Sequence, residues 1–168
     1  MPSAYLTAAA RRKIRTRSAL IPLVRRAAAR GQRIVFTNGC FDLLHPGHVK
    51  LFEQAKRAGD VLIVALNSDQ SVRRLQKGPG RPVVNQRDRA MVLAGLSSID
   101  YITIFNAPTP QRLISALRPD VLVKGADWAA HAIVGRHTVE RHGGRVLRIP
   151  LQPGYSTSRL IQRIRARR

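Results

Sequence analysis

Two histidines stand three residues apart in "FDLLHPGHVKLFEQA", with Pro46 and Gly47 between them. A Pro-Gly pair turns the chain, and the apolar period that follows is helical, so His45 and His48 flank a helix start. The free N–H groups of such a start form an anion site, and two imidazoles beside it can donate hydrogen bonds to phosphate oxygens. Gly39 and Gly47 let the backbone approach a ligand closely. Two other readings stay open: one exposed and one buried histidine with unrelated partners, or a metal-binding pair. The metal reading lacks a third and fourth ligand nearby. His131, His137 and His142 have no comparable setting and read as surface residues.

A second cluster lies far downstream. In "GYSTSRLIQ", Ser156, Thr157 and Ser158 open the last helical period. One hydroxyl is explained by an ordinary N-cap; three in a row are more than one cap needs. Two helix starts on one rim, one with imidazoles and one with hydroxyls, would suit a polyphosphate chain.

The elements that must position these groups alternate along the chain. "RIVFTNGC", "VLIVALN", "YITIF", "DVLVKG" and "RVLRIP" read as strands, and "VLIVALN" is apolar throughout, as a strand buried on both faces requires. Between them lie helical segments: "GHVKLFEQAKRAG" with Val49, Phe52 and Ala55 on one face, "SDQSVRRLQ", "QRDRAMVLAGL", "TPQRLISAL" with Pro110 in its first turn, "VGRHTVERHGG" and finally "STSRLIQRIRARR". This alternation predicts βαβ units and a mainly parallel sheet with helices on both faces. Ligands of such sheets bind beyond the carboxyl ends of the strands, where the strand order reverses. The loops after Phe36, Leu66, Val123 and Ile149 therefore form the functional rim. Residues 1–32 read as a basic N-terminal arm and helix, and 33–168 as the catalytic domain. Within the former, residues 1–17 are expected to fray or lie peripherally, and a helix to run from an N-cap at Ser18 to a stop at Gly31.

Composition narrows the class. With 168 residues, 44% of them hydrophobic and 23% charged, the chain suits one soluble globular domain. One cysteine, Cys40, excludes a disulfide framework and a cysteine-rich metal site, and fits a reducing cytoplasm. No apolar run reaches the roughly 18 residues of a membrane span. The net charge of +21 is uneven. Residues 1–33 hold nine Lys or Arg and residues 159–168 five, with no acid in either segment, leaving 16 basic against nine acidic residues between. Such ends fit a solvated surface, a polyanion-binding surface or a targeting segment. Only 5% aromatic residues leaves few base-stacking platforms, so a nucleic-acid-binding protein ranks below an enzyme.

"FDLLHPGH" with a late "STS" resembles the HxGH nucleotidyltransferase superfamily, the cytidylyltransferase-like group of Rossmann-related α/β folds. "IVFTNGCFDLLHPGH", "LNSDQSVRRLQKGPGRPV", "RDRAMVLAGL", "RPDVLVKGADW" and "GYSTS", in this order over residues 33–158, resemble the bacterial D-glycero-β-D-manno-heptose 1-phosphate adenylyltransferases. The resemblance implies transfer of AMP from ATP to the sugar phosphate, giving ADP-heptose and pyrophosphate for the lipopolysaccharide inner core. It implies Mg²⁺ with the ATP, a cytoplasmic enzyme, and a homodimer or larger homo-oligomer. His45 and His48 would contact the phosphates; Thr37, Asn38, Gly39, Phe41, Gly47, Lys124, Gly125, Tyr155, Ser156, Thr157 and Ser158 would line the nucleotide site. Lys77, Arg81 and Arg89 would bind the incoming phosphate, with Lys77 and Arg89 counted among the catalytic residues. Asp42, Asp127 and Trp128 would serve the sugar phosphate, either carboxylate being a possible Mg²⁺ ligand. The superfamily's late signature carries an arginine where Ile161 stands, and Arg159 falls two positions early. A CTP-dependent enzyme acting on glycerol 3-phosphate or another polyol phosphate is the alternative. "PLQPG" lacks the arginine that precedes the late motif in that enzyme. With no kinase-like segment upstream, a stand-alone transferase is expected.

Overall fold

The computed structural model describes residues 7–76 and 78–166. Five strands, β1 (Ile34–Gly39), β2 (Val61–Asn67), β3 (Tyr101–Phe105), β4 (Val121–Gly125) and β5 (Arg145–Ile149), form one sheet in the order β3-β2-β1-β4-β5. All four pairings are parallel. Helices α1 (Ala8–Lys13), α2 (Arg17–Ala29), α3 (Pro46–Arg57), α4 (Asp69–Arg74), α5 (Gln86–Ala94), α6 (Gln111–Leu117), α7 (Arg136–Arg141) and α8 (Thr157–Arg165) surround it. This is a Rossmann-like α/β architecture.

Alternation along the strands divides the core. Val35, Leu62, Val64 and Leu66 face Phe52 and Ala55 of α3 and Leu93 of α5. Ile34, Phe36, Ile63 and Ala65 face Leu20 and Val24 of α2 and Leu113 and Ile114 of α6. Burying a side chain the size of Phe52 stabilises by about 1.5–3 kcal/mol, which fixes α3 and with it the histidine turn. Val49, expected on the same face as Phe52, is exposed instead. It lies in the first turn of α3, at the rim, where the helix has not yet crossed the sheet.

The end of the sheet away from the rim is tied by carboxylates. Asp60 accepts from Arg33 N (2.7 Å) and Asp120 from Ile34 N (2.7 Å). Asp100 accepts from Leu62 N (2.7 Å) and from Lys56 Nζ. These aspartates lead into β2, β4 and β3, satisfying strand N–H groups that the ladder leaves over.

The N-terminal segment departs from expectation. Residues 8–13 form α1 rather than a frayed arm, Ile14 bridges Ile102 of β3, and Arg15 N donates to Ile102 O (2.8 Å). Lys13 Nζ donates to Leu96 O (2.7 Å), and Ala10 is buried in the core cluster that contains Leu93. Edge strand β3 offers unpaired backbone groups, and this segment covers them. The N-cap of α2 is Thr16, whose hydroxyl accepts from Ala19 N (3.3 Å), not Ser18. Gly31, at φ +75°, does end the helix. Ala10→Asp should therefore lower unfolding stability by roughly 2 kcal/mol or more, because it buries an unpaired carboxylate. A denaturant titration checks this, and an unchanged midpoint would return the segment to the periphery.

Candidate active site

From β1 the chain moves outward through β2 to β3, then crosses back to place β4 on the other side of β1. Loops leaving β1 and β4 diverge at this reversal and open a crevice. The crevice is a cleft of about 330 Å³ lined by Thr37, Asn38, Gly39, Phe41, His48, Lys124, Gly125, Asp127 and Trp128, among others.

His45 occupies the N-cap of α3 in an extended conformation and makes no side-chain cap bond. Its ring is thereby free to stack on His48, with centroids 3.8 Å apart and planes 21° from parallel. Gly47 permits this: a Cβ there would lie 3.0 Å from His45 Nδ1. Phe41 meets His48 edge-on at 5.4 Å and reaches Phe52 at 4.9 Å, so the imidazoles rest on the core. Phe41 adopts φ +42°, a conformation that costs a bulky residue about 1–3 kcal/mol, held here by that packing.

Burial pushes the His45 imidazole below its ordinary value. His48 is pushed down to about 4, by burial first and then by the nearby charges of His45 and Arg81. Both rings are neutral at pH 7. Nδ1 of each is shut away from solvent without a hydrogen-bond partner, leaving Nε2 for a ligand.

The start of α8 comes to the same place. Thr157 Oγ1 donates to Leu43 O (3.3 Å) in the loop that carries the histidines. Lys50 Nζ of α3 donates to Gln152 Oε1 (2.8 Å), and the Tyr155 ring lies 6.3 Å from His45. The three hydroxyls divide their tasks. Ser156 caps α8 by accepting from Arg159 N (3.1 Å), Thr157 joins the two loops, and Ser158 is exposed. Having given its proton to Leu43 O, Thr157 cannot also donate to a ligand; Ser156 and Ser158 can.

On the other wall, Lys124 Nζ donates to Asn38 O (3.1 Å) and lies 5.4 Å from the Trp128 ring centre. Asn38 Oδ1 is buried and unpartnered. Thr37 is buried and its hydroxyl donates to Val123 O (3.1 Å), joining β1 to β4 at the foot of the cleft. Asp127 and Trp128 are exposed at the mouth.

Three expected site residues are held by partners within the protein. Arg89 is 1% exposed, and its guanidinium donates to Val84 O, Cys40 O and Asp69 Oδ1. A buried guanidinium needs such partners, and through them Arg89 holds the surrounding loops together. Asp42 is likewise enclosed, accepting from Arg81 Nε, Val83 N and Val84 N, so its oxygens are committed and it is no Mg²⁺ ligand in this arrangement. Arg81 pairs with Asp42 at 3.0 Å. Lys77 lies outside the described residues. His131, His137 and His142 are exposed, as expected.

The sequence reading missed Pro108, Thr109 and Pro110, which line the cleft from the loop after β3. The signal was present: that loop leaves the same rim as the others, and its prolines stiffen it.

A parallel sheet opening at its point of reversal onto two imidazoles and a second helix start is the architecture of a nucleotidyltransferase. The chain belongs to the cytidylyltransferase-like family, whose model matches residues 36–163. It is 52% identical over 152 residues to the bifunctional protein HldE of Syntrophotalea carbinolica, covering 90% of this chain and 31% of that one. Over 155 residues it is 54% identical to the HldE of Acidiphilium cryptum, covering 92% and 32%. The chain thus spans about a third of the length of these relatives. Among solved structures it resembles a lipopolysaccharide core biosynthesis protein from Thermoplasma volcanium, with TM-score 0.61 and 22% identity over 73% of this chain and 98% of that one. It also resembles a pantoate-β-alanine ligase from Francisella tularensis, with TM-score 0.59 and 15% identity over 86% and 68%. These two likenesses concern the fold.

The imidazoles set a pH dependence. His48 titrates near 4 when folded and at 6.5 as the ordinary value, so the native state binds fewer protons than the unfolded chain between these limits. Its contribution to stability is complete above 6.5 and is lost as the pH falls toward 4. Acidification across this window should destabilise the wild type more than His48→Asn, as read from thermal melts. The His48 ring proton should titrate near 4 by NMR. A midpoint at the ordinary value would show that the ring is solvated.

Proposed function

We propose that this chain transfers AMP from ATP to D-glycero-β-D-manno-heptose 1-phosphate, releasing pyrophosphate and forming ADP-heptose for the lipopolysaccharide inner core. The observation that carries this reading is the meeting of the histidine turn and the start of α8 beside the cleft, through Thr157 and Leu43. The ordered motif set and the two HldE relatives support the choice of acceptor. A single transferase domain of this length would account for about a third of a relative that is named bifunctional.

An oxygen of the sugar phosphate attacks the α-phosphorus of ATP; the α–β bridge breaks and its electron pair leaves on pyrophosphate. A phosphate monoester is already anionic at neutral pH, so no strong base is needed, and the work is positioning and charge stabilisation. His45 and His48 donate to the phosphate oxygens through Nε2. Being neutral when free, they gain hydrogen-bonding strength and proton affinity as negative charge builds against them. Thr37 to Phe41, Lys124, Gly125 and Tyr155 enclose the nucleotide, Ser156 and Ser158 add donors from α8, and Asp127 and Trp128 meet the sugar.

Magnesium would shield the two phosphate groups from each other. Among the described residues no three His, Cys, Asp or Glu side chains gather into a metal cluster. Asp127, exposed on the cleft, is the carboxylate in place to contribute one ligand, so the ion would be held mainly by phosphates and water. No helix of the described residues is long and apolar enough to cross a membrane; a cytoplasmic enzyme, where ATP is at hand, fits this reading.

Pyrophosphate release from ATP should depend on both the heptose 1-phosphate and Mg²⁺. His45→Ala or His48→Ala should lower kcat by about 100- to 1,000-fold with the fold intact. Turnover with CTP in place of ATP would overturn the choice of nucleotide, and unchanged kcat in either variant would remove the histidines from the mechanism.

A further inference from the structure

Asp42 is a carboxylate that the proposed reaction does not use. Its side chain has no exposed area, yet it sits one loop away from the imidazoles. Oδ1 accepts from Val83 N (2.9 Å) and Val84 N (3.0 Å), while Oδ2 accepts from Arg81 Nε (3.0 Å) and shares Val83 N (3.0 Å). A buried carboxylate with this many N–H partners fixes them closely, because releasing any one strands charge away from water. The segment it grips joins α4 to α5 and would otherwise be loose; Val83 itself is 54% exposed. Arg89 holds the same segment from its carbonyl side through Val84 O (2.9 Å), and reaches Cys40 O in the histidine loop. Two buried ionic groups thus lash residues 81–84 to the loop that presents His45 and His48.

What this strap carries is Arg81. Asp42 takes the guanidinium end-on, through Nε. The Arg81 side chain is 9% exposed, and among the described residues Nε is the guanidinium nitrogen with a protein partner, which leaves the two Nη groups to a ligand. The guanidinium is close enough for its charge to act on His48.

We propose that Asp42 is a positioning residue, which aims the two Nη groups of Arg81 at the phosphate held by the histidine turn. A planar guanidinium fixed by its own Nε presents the fork that matches two phosphate oxygens, and a lysine could not be held this way. The proposal rests on the transferase reading only for the identity of the molecule that bears the phosphate. Anion capture by this arrangement is independent of turnover.

Asp42→Asn separates aiming from mere loop fixation. An asparagine can keep its carbonyl oxygen toward Val83 N and Val84 N, but its amide nitrogen then faces Arg81 Nε and repels it. The probe is inorganic tripolyphosphate, titrated by calorimetry, with amide hydrogen exchange at Val83 and Val84 as the measure of the strap. Asp42→Asn should weaken tripolyphosphate binding by about 10- to 100-fold while both amides remain protected. Arg81→Ala, with Asp42 untouched, should do the same, and the double variant should bind no worse than either single one. Additive losses in the double variant, or wild-type affinity in Arg81→Ala, would overturn the proposal. If Asp42→Asn does not fold, Arg81→Ala decides alone: lost affinity with protected amides supports aiming, and retained affinity overturns it. Tight tripolyphosphate binding without any turnover of ATP and heptose 1-phosphate would instead count against the transferase reading and leave the aiming role standing. A wild-type protein that does not bind tripolyphosphate overturns both.

Discussion

Two imidazoles stacked 3.8 Å apart cannot both carry a proton cheaply, and burial removes the water that would ease the repulsion. The surrounding structure is arranged around that constraint. Glycine at 47 lets the rings meet, the extended N-cap at His45 swings one ring over the other, and Phe41 accepts a left-handed backbone to support them from the core side. A neutral stacked pair with inaccessible Nδ1 atoms presents two Nε2 positions a fixed distance apart, preorganised before any ligand arrives. Solvated histidines on a mobile loop would have to be ordered by the ligand itself.

Order at the rim comes from three distant parts of the chain. The histidine loop is joined to the start of α8 by Thr157 and Gln152, to the strap before α5 by Asp42, and to α4 and α5 by Arg89. Apart from the exposed Lys50–Gln152 contact, each link is a hydrogen bond in a poorly solvated place, so losing one leaves an unsatisfied partner as well as a freed loop. The sheet beneath contributes rigidity, with β1 and β2 wholly covered until the last residues of β1.

Much of this was legible in the residues, for identifiable reasons. Strands β2 and β3 follow the apolar runs "VLIVALN" and "YITIF" residue for residue, since a strand covered on both faces has no polar alternation to blur its ends. His45, His48 and the start of α8 announced themselves because phosphate chemistry at a helix start demands particular residue types at fixed local spacing. The internal partners of Arg89 and Asp42 were not legible, because a basic or acidic residue near a motif looks the same whether it meets a ligand or a backbone forty residues away. That distinction depends on burial, which tertiary packing decides. The docking of α1 was hidden for the same reason: "AAARRK" has no strong apolar stripe, and only the open edge of β3 gives Ala10 and Ile14 something to cover. Likewise, the local sequence pointed to Ser18 as the cap, while in the fold the hydroxyl of Thr16, two residues earlier, takes that place.

The carboxylates tying the far end of the sheet have an electrostatic consequence for the whole molecule. Of nine acidic residues, Asp60, Asp100 and Asp120 lie at the base of the strands, and Asp42 and Asp69 are each matched to an arginine. Five of the nine acids are thus spent on strand N–H groups or on arginines, so few anions are left to offset a net charge of +21. A protein so basic attracts polyanions at a distance, and that attraction fades as ionic strength rises.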